Sequence, residues 1–271
     1  MRMIGQLITQ ANHKKIRVNT HIYLLILEKN NVMKISLSVF AFLLVLASCE
    51  NPFNKTVQGN GKITTSERNL SPFKNIKCAG SYEVEVTQGN TNSVNIETDE
   101  NLQSYIITDI NGDELNIHTQ KDLSLHPSNK IKLYITMEKL EEFKLTGSGN
   151  ISTTNKLTGG DHLNLEIAGS GNMHFDVNTP TVHSGISGTG DIYLTGETRD
   201  SKIEIAGSGN YHAEDLKAEN ATVKIAGSGD ARVFADSTLN IDIAGVGNVY
   251  YKGNAQVSQN VAGSGKIKKL E

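Results

Sequence analysis

The segment Ile203-Glu-Ile-Ala-Gly-Ser-Gly-Asn210 decides the fold, because versions of it recur along the second half of the chain. Each version contains a Gly-x-Gly unit, and the first glycines of successive units are 22, 19, 19, 20, 18 and 18 residues apart. The seven pairs are Gly147 and Gly149, Gly169 and Gly171, Gly188 and Gly190, Gly207 and Gly209, Gly227 and Gly229, Gly245 and Gly247, and Gly263 and Gly265. Chance does not place seven such units in register, so this part of the chain is a structural repeat.

Each repeat has the alternating pattern of a strand with one buried face. Ile203 and Ile205 flank the polar Glu204, and the alternation resumes after the glycines, as at Ile192 and Leu194 in another copy. A unit of about 19 residues cannot bury its own apolar side, so the copies must stack. The sequence therefore predicts an all-β fold, a β-solenoid of the parallel β-helix type, with coils of about 18–22 residues.

We expect the paired glycines to form the corners of the coils, because glycine adopts a positive φ without a Cβ penalty. The small residue before most corners, such as Ala206, is expected to fit a crowded inner bend. The residue after the second glycine tolerates tight turns, and stacked side chains at this position should hydrogen-bond along the solenoid axis. In six copies this residue is Asn150, Asn172, Asp191, Asn210, Asp230 or Asn248.

Residues 59–144 contain strand patterns that fit the repeat more loosely. Alternation predicts strands at Val94–Thr98, Tyr105–Ile110, Glu114–Thr119 and Lys130–Met137. Asn111-Gly-Asp113 predicts a hairpin turn between two of them, Gly59-Asn-Gly61-Lys-Ile63 echoes the last corner, and Ile76–Val86 echoes the coil pattern. We therefore expect a β-rich, partly antiparallel region that is continuous with the solenoid and caps one end.

The N-terminal 48 residues are interpreted as a leader. An apolar run, Ile35–Ser48, follows Lys34, is too short to span a bilayer as a stable helix, and has the features of a signal peptide. Its ending, Leu46-Ala-Ser-Cys49, looks like a bacterial lipobox in which Cys49 is lipidated; the alternative is a generic secretory signal before a chance cysteine. The predicted organisation is a leader at 1–48 (signal peptide 33–48 behind an over-extended gene model), a lipidated tether at 49–58 and a β-solenoid domain at 59–271.

Composition excludes several classes of protein. The 271 residues include two cysteines, too few for a disulfide-stapled scaffold or a cysteine-rich zinc protein. Residues 1–48 hold six of the 26 Lys and Arg and one of the 29 acidic residues, so the formal net charge of −3 becomes −8 for residues 49–271. This charge predicts no nucleic-acid partner and no attraction to anionic lipid, so the acyl group must hold the protein on the membrane. Cys78 is expected to be a buried apolar residue.

Several motifs together resemble one bacterial family. They are the opening Gly59-Asn-Gly61, then Ser71-Pro-Phe73-Lys-Asn-Ile76 leading into Gly80-Ser-Tyr-Glu-Val84, then Val86-Thr-Gln-Gly89, and finally the Ala-Gly-Ser-Gly-Asn repeats. Over roughly residues 59–271 the chain resembles the family called putative auto-transporter adhesin, head GIN domain. The resemblance implies a β-repeat fold and a lipoprotein or secreted protein, and it brings no catalytic residues.

The candidate binding face lies five residues after the first glycine of successive copies, where the alternation points outward. Its members are His174, Tyr193, His212, Arg232 and Tyr250. Aromatic faces accept the apolar faces of sugars while polar groups fix orientation, so this column predicts contact with a glycan or a surface protein. The alternative is a solvated strand face whose residue types reflect β-propensity. A second outward column, two residues further on, is expected to contain Thr154, Asp176, Thr195, Glu214, Phe234 and Lys252.

No metal ion, cofactor or catalytic residue is predicted. His174 and His212 should lie two coils apart, about 10 Å, which is too far to share one metal ion. Asp176 and Glu214 should be separated by a similar distance, slightly beyond the roughly 6.5–9.5 Å of inverting glycosidases. The Gly-Ser-Gly units precede strands rather than helices, so they do not predict nucleotide-binding loops.

These patterns predict a lipid-anchored binding or adhesion protein of the cell envelope. The expected location is the outer membrane, facing either the periplasm or the exterior. One alternative is a structural envelope protein without a specific ligand, and another is a β-helix enzyme that acts on polysaccharides. Solenoid edges can stack, so the oligomeric state is left open.

Overall fold

The computed structural model describes residues 55–271, which form 22 strands and one short 3-10 helix, Glu100–Tyr105. The leader, Cys49 and residues 49–54 of the tether lie outside the described residues. Within the described part of the chain, no helix is long and apolar enough to cross a membrane.

The strands fall into an N-terminal group and a repeat group. The first nine are β1 (Lys55–Gln58), β2 (Ile63–Arg68), β3 (Asn75–Gly80), β4 (Glu83–Gln88), β5 (Ser93–Asp99), β6 (Ile106–Asn111), β7 (Glu114–Thr119), β8 (Leu123–His126) and β9 (Lys132–Met137). The repeat strands are β10 (Glu142–Gly147), β11 (Asn150–Thr153), β12 (Leu157–Thr158), β13 (His162–Gly169), β14 (Asn172–Asn178), β15 (Thr181–Gly188), β16 (Asp191–Gly207), β17 (Tyr211–Gly227), β18 (Ala231–Phe234), β19 (Thr238–Gly245), β20 (Val249–Lys252), β21 (Gln256–Gly263) and β22 (Ile267–Lys269).

The repeats stack as parallel coils, which confirms the predicted β-solenoid. The first glycine of each pair lies beside its equivalent in the next coil, from Gly147 through to Gly263. The strands that precede the corners form what we call the corner sheet: β10, β13, β15, the second halves of β16 and β17, β19 and β21. The strands that follow the corners form the ladder sheet: β11, β14, the first halves of β16 and β17, β18, β20 and β22.

Inward-pointing residues from successive coils form one continuous apolar core. Ile203 and Ile205 of the corner sheet are 0% and 2% exposed, and Ile192 and Leu194 of the ladder sheet are 0% and 1% exposed. Cys78 is free and fully buried, and burial raises the pKa of its thiol to about 12. It therefore packs as a small apolar side chain, as expected.

Close approach of the coils requires glycine at both positions of each corner, and backbone conformation adds a second requirement at the first position. The first has a positive φ, which is +142° at Gly207, whereas the second does not. An added Cβ would overlap a carbonyl oxygen of the preceding coil at either position, that of Gly188 for Gly207 and that of Gly190 for Gly209. The expectation of a positive φ thus holds only for the first glycine of a pair. The expectation for the preceding small residue was wrong, because Ala206 and its equivalents are exposed on the outer surface.

The Asn and Asp residues after the corners form the predicted ladder of hydrogen bonds along the axis. Asn210 donates from its backbone N–H and its Nδ2 to Oδ1 of Asp191, at 2.8 and 3.0 Å. The Asp230 backbone N–H donates to Oδ1 of Asn210 at 3.1 Å, and Asn248 repeats the double contact on Asp230 at 2.8 and 2.9 Å. Because amides alternate with carboxylates, no two carboxylates are neighbours in this part of the ladder.

The N-terminal region extends the stack and then covers it. Gly80 lies in register with Gly147, so β3 and β4 form a coil directly against β10 and β11, and β7 and β9 add another parallel layer beyond them. The predicted hairpin at Asn111-Gly-Asp113 is confirmed, because β6 and β7 are antiparallel. Ile63 does not continue a coil as the echo of the last corner suggested, because β2 runs antiparallel to β5, which in turn is antiparallel to β9.

One buried carboxylate joins three segments of this cap. Asp99, which is 0% exposed, accepts hydrogen bonds from the backbone N–H groups of Gly61 (2.7 Å) and Ser128 (2.8 Å) and from Oγ of Ser128 (2.7 Å). Burial acts to raise the pKa of Asp99, but these hydrogen bonds outweigh it and hold the pKa below its ordinary value. The ionised carboxylate therefore stabilises the cap.

Candidate functional site

The five candidate binding residues lie in one column of the ladder sheet. His174 is beside Tyr193, Tyr193 beside His212, His212 beside Arg232, and Arg232 beside Tyr250. Each follows an inward residue that is buried, such as Met173 or Ile192, and therefore points outward. The rigid stack of coils thus fixes the spacing of these side chains.

Three of the rings are stacked on one another. The centroids of His174 and Tyr193 are 4.3 Å apart with planes 5° from parallel, and those of Tyr193 and His212 are 4.5 Å apart with planes 4° from parallel. Because the rings follow each other along the stacking direction, the half-buried Tyr193 has its two faces against its neighbours and only its ring edge is left for a partner. The expectation that its aromatic face receives a sugar was therefore wrong.

The column continues with a cation above a ring. The guanidinium carbon of Arg232 lies 5.0 Å from the centroid of the Tyr250 ring, within the range of a cation–π contact. The five residues, which we call the ring ladder, therefore offer polar groups in a line: imidazole nitrogens, hydroxyls and one guanidinium. Such a line suits hydrogen bonding to a polar or charged partner better than stacking against an apolar one.

The environment keeps His174 and Tyr193 of the ring ladder uncharged. Burial, assisted by the proximity of His212, lowers the pKa of His174 below its ordinary value, so this imidazole is mostly neutral at pH 7. Burial and the carboxylate of Asp191 raise the pKa of Tyr193, which keeps its phenol protonated. Arg232 is therefore the permanent charge of the ladder.

The second outward column departs from its predicted order. Thr195 lies beside Asp215 rather than Glu214, because β17 contains a register shift in its 20-residue repeat. Asp176 is paired with Lys156 at 3.5 Å, and Asp215 with Lys252 at 3.8 Å. Asp176 and Glu214 are consequently not matched residues of one column, which removes the geometric basis for treating them as a carboxylate pair.

A polar cleft lies further along the same strands and was missed by sequence reasoning. It has a volume of about 470 Å³ and is lined by Arg199, Lys217, Glu219 and Phe234, among others. The ammonium group of Lys217 lies 3.9 Å from the centroid of the Phe234 ring. The only signal in the sequence was the unequal repeat length, 20 residues for the coil that contains Lys217 and 18 for the coil that contains Phe234.

Metal ligands are not brought together in residues 55–271. No group of three or more His, Cys, Asp or Glu side chains in this range has the geometry to hold an ion. His174 and His212 are separated by the ring of Tyr193, which is consistent with the spacing expected for residues two coils apart.

Solved structures share this fold. A protein described as a putative lipid binding protein from Parabacteroides distasonis aligns with 27% identity and a TM-score of 0.69, covering 80% of this chain and 100% of its own. A putative adhesin from Parabacteroides merdae aligns with 27% identity and a TM-score of 0.66 over 80% and 99% of the two chains. A putative adhesin from Bacteroides fragilis, at 24% identity and a TM-score of 0.74 over 79% and 100%, supports the fold alone.

The sequence comparison agrees with these structures. Residues 72–255 match the family model described as putative auto-transporter adhesin, head GIN domain. No curated protein matches the chain. The matched relatives are described as adhesins or binding proteins and not as enzymes.

Proposed function

Given that the chain belongs to the family described as putative auto-transporter adhesin, head GIN domain, we propose that it is a lipid-anchored binding protein of the cell envelope. Cys49 provides the acyl anchor. Residues 55–58, which the sequence assigned to the end of the tether, form β1 on β8. The tether is therefore residues 49–54, and residues 55–271 form the binding domain. The ring ladder contacts a glycan or a surface protein, and the outer membrane is the proposed location.

The observation that supports this proposal is the straight line of polar ring edges on a rigid sheet. Stacking holds His174, Tyr193 and His212 in one orientation, so little side-chain entropy remains to be lost when a partner binds. Arg232 adds a charged donor at the next coil. A partner with acceptor groups in a row, such as a polysaccharide, fits this arrangement.

The polar cleft extends the proposed binding surface beyond the ring ladder. Tyr193 and His212 lie on the same strands as Glu197 and Lys217, four or five residues earlier. A ligand that lies across the ladder at these two coils would therefore reach the cleft and the cation of Lys217. Hydroxyl-rich ligands suit such a surface, because it contains both acidic and basic groups.

The experiment is to probe glycan and matrix arrays with residues 50–271. The test variant combines Tyr193→Ala, His212→Ala and Arg232→Ala on the ladder sheet. The matched control combines Lys202→Ala, Thr222→Ala and Asn240→Ala, which are neighbouring outward residues of the corner sheet. We expect the test variant to lose signal and the control to keep it. Equal signal from both would remove the ring ladder from the binding site.

The anchor is tested separately. Cys49→Ala should move the protein from the membrane fraction to the soluble fraction, because the net charge of −8 gives it no other attraction to anionic lipid. Unchanged fractionation would contradict the anchor. Protease treatment of intact cells then distinguishes exposure to the exterior from exposure to the periplasm.

A structural envelope protein is the second candidate function. The same stacking that orients the rings also satisfies their faces within the protein, as a stabilising ladder would. For a purely structural role, the triple ladder variant should lower stability without altering any binding signal. A polysaccharide-acting enzyme is less well supported, because Asp176 and Glu214 are not matched across the coils.

A further inference from the structure

The last coil of the solenoid has an edge that no other strand covers within residues 55–271. In this range β21 pairs only with β19, and β22 pairs only with β20. Val261 of β21 is 38% exposed, whereas the equivalent Ile243 in the preceding coil is 0% exposed. Val257 and Ile267 are likewise only partly buried against the core. This end therefore presents both backbone groups and apolar side chains.

The backbone of β21 is oriented for another strand. The N–H of Gln256 donates to the carbonyl of Ser237 at 2.9 Å, toward the coil already in place. In a parallel ladder, alternate residues direct their amide and carbonyl groups to opposite sides. Val257, Gln259 and Val261 thus direct theirs to the uncovered side.

The strand itself lacks the usual protection of a sheet edge. Edge strands are normally guarded by charged residues, proline or bulges. β21, with the sequence QVSQNVAG, contains no charged residue and no proline, and it stays in register with β19 from Gln256 to Gly263. Such a strand can accept a new neighbour along its whole length.

In contrast to β21, β22, which follows the last corner, is positively charged. Lys268 and Lys269 of β22 follow Tyr250 and Tyr251 of the preceding coil, and Lys266 follows Asn248. Tyr251 packs against the core, so Lys269 occupies an inward-facing position at the uncovered end. A second copy stacked here about a two-fold axis would bring the same lysines of the two copies together, which like-charge repulsion opposes.

We propose that β21 is a strand-addition site for an extended peptide segment of another protein. The segment has neutral residues along β21 and carboxylates where it passes the corner to Lys266, Lys268 and Lys269. Backbone hydrogen bonds to Val257, Gln259 and Val261 supply the affinity, and the lysines select acidic segments over a second copy of this chain. Lys268 of this site lies beside Tyr250 at the end of the ring ladder, but the proposal does not depend on the function proposed for the ladder.

The probe is a peptide that already has the required register. Residues 238–249 of this chain, TLNIDIAGVGNV, pair in register with residues 256–267 on the covered side. A labelled copy with Asp242→Asn, which makes the segment along β21 neutral, and with Asn248→Asp places a carboxylate at the level of Lys266. A copy with Asp242→Asn and Asn248→Lys is the matched control. Binding to residues 50–271 is measured by fluorescence anisotropy at low salt. The structural relatives, which align over almost their whole length, indicate that a chain of this size folds without the leader.

Variants of the protein separate backbone pairing from charge. Gln259→Pro removes one N–H on the uncovered side and leaves the bonds to β19, and Gln259→Ala keeps that N–H. We expect the proline to weaken binding at least about tenfold and the alanine to change it less than about threefold. Lys266→Glu with Lys269→Glu is a second variant that leaves the backbone intact. It should reverse the preference between the two peptides.

The possible results decide the proposal. It is overturned if the acidic peptide does not bind, if Gln259→Pro binds it as well as Gln259→Ala does, or if the two peptides bind equally. Sedimentation of the protein alone provides the remaining comparison. Self-association that Gln259→Pro abolishes would identify a second copy as the occupant and would also overturn the proposal.

Discussion

The two ends of the solenoid are finished in different ways. At the N-terminal end, antiparallel strands β2, β5 and β6 and the 3-10 helix cover the first coils, and Asp99 joins their connections. At the other end, β21 and β22 repeat the coil without a covering element in residues 55–271. A coil pattern therefore specifies stacking but not where stacking stops. A separate structure must supply the stop.

The same difference predicts how stability is distributed. In a stack, each coil is stabilised by the interfaces with its neighbours, so a coil with one neighbour is less stable than a coil with two. The burial of inward-pointing side chains differs in the same way: Val223, in the middle of the stack, is 0% exposed, whereas Val261, in the last coil, is 38% exposed. Identical substitutions should therefore have different effects at different heights of the stack.

The largest effect is expected from Gly207→Ala in the middle of the stack. The φ of +142° disfavours a side chain, and the added Cβ would overlap the carbonyl oxygen of Gly188, which neighbouring coils hold in place. We expect a loss of about 3 kcal/mol or more in the free energy of unfolding, measured by urea denaturation. Gly263→Ala creates the same overlap with Gly245, but the last coil can separate locally, so about 1 kcal/mol is expected. Equal losses at the two sites would contradict the predicted gradient.

The next largest loss of stability is expected from Asp99→Asn, which tests the N-terminal cap. The amide brings two N–H donors to a site where Gly61 and Ser128 already donate, and it removes the charge that they stabilise. We expect a loss of about 2 kcal/mol at pH 7. The exposed Glu67→Gln on β2 is the matched control and should change stability by less than about 0.5 kcal/mol.

The pH dependence of the cap has a definite sign. The pKa of Asp99 is lower in the folded state than its ordinary value of about 4, so its contribution is complete above about pH 4. As the pH falls toward the folded-state pKa, the carboxylate takes up a proton and this contribution is lost. The stability difference between the wild type and Asp99→Asn should therefore shrink on acidification. A difference that stays constant from pH 7 to pH 2 would exclude this role.

A smaller effect is expected from Asn210→Asp in the ladder beside the corners. The change places three carboxylates in a row, with Asp191 and Asp230 on either side, and removes the Nδ2 donor. We expect a loss of about 1–2 kcal/mol at pH 7 that acidification partly restores. Asn248→Asp is the control nearer the uncovered end, because its neighbours are Asp230 and Lys266. It should cost less, and an equal cost would show that carboxylate repulsion is not the cause.

Periodicity explains which features could be predicted from the sequence. The regular spacing of the glycine pairs, with apolar residues such as Ile203 and Ile205 before them, identified the coils, the core and the axial ladder. The hairpin at Asn111-Gly-Asp113 was also predicted correctly, because its turn residues act locally. Each of these features depends on residues that are close in sequence or repeated at a fixed interval.

Features that depend on non-periodic contacts could not be predicted. Gly80 lies beside Gly147, although 66 residues separate them in the sequence. Nothing in the pattern of those intervening residues specifies that the chain returns to pair with β3. The ring ladder was placed on the correct strands, but ring orientation depends on side-chain torsions, so the burial of the Tyr193 faces was missed. The register shift at Asp215 could not be predicted, because one extra residue in β17 leaves the distance between corner glycines within the 18–22 residues found along the repeat.

The smallest expected effect provides the most direct test of the uncovered end. Val261→Ala removes two methyl groups from a side chain that is 38% exposed and that no coil formed by residues 55–271 covers. We therefore expect a loss of less than about 0.5 kcal/mol in the free energy of unfolding, measured by urea denaturation. Val223→Ala makes the same chemical change at a residue that is 0% exposed, where about 2 kcal/mol is expected from lost burial and the cavity that remains. Addition of the acidic peptide should raise the cost of Val261→Ala toward that of Val223→Ala, because a bound strand would bury the valine. If the cost is already high without peptide, another part of the protein or a second copy covers this edge in solution.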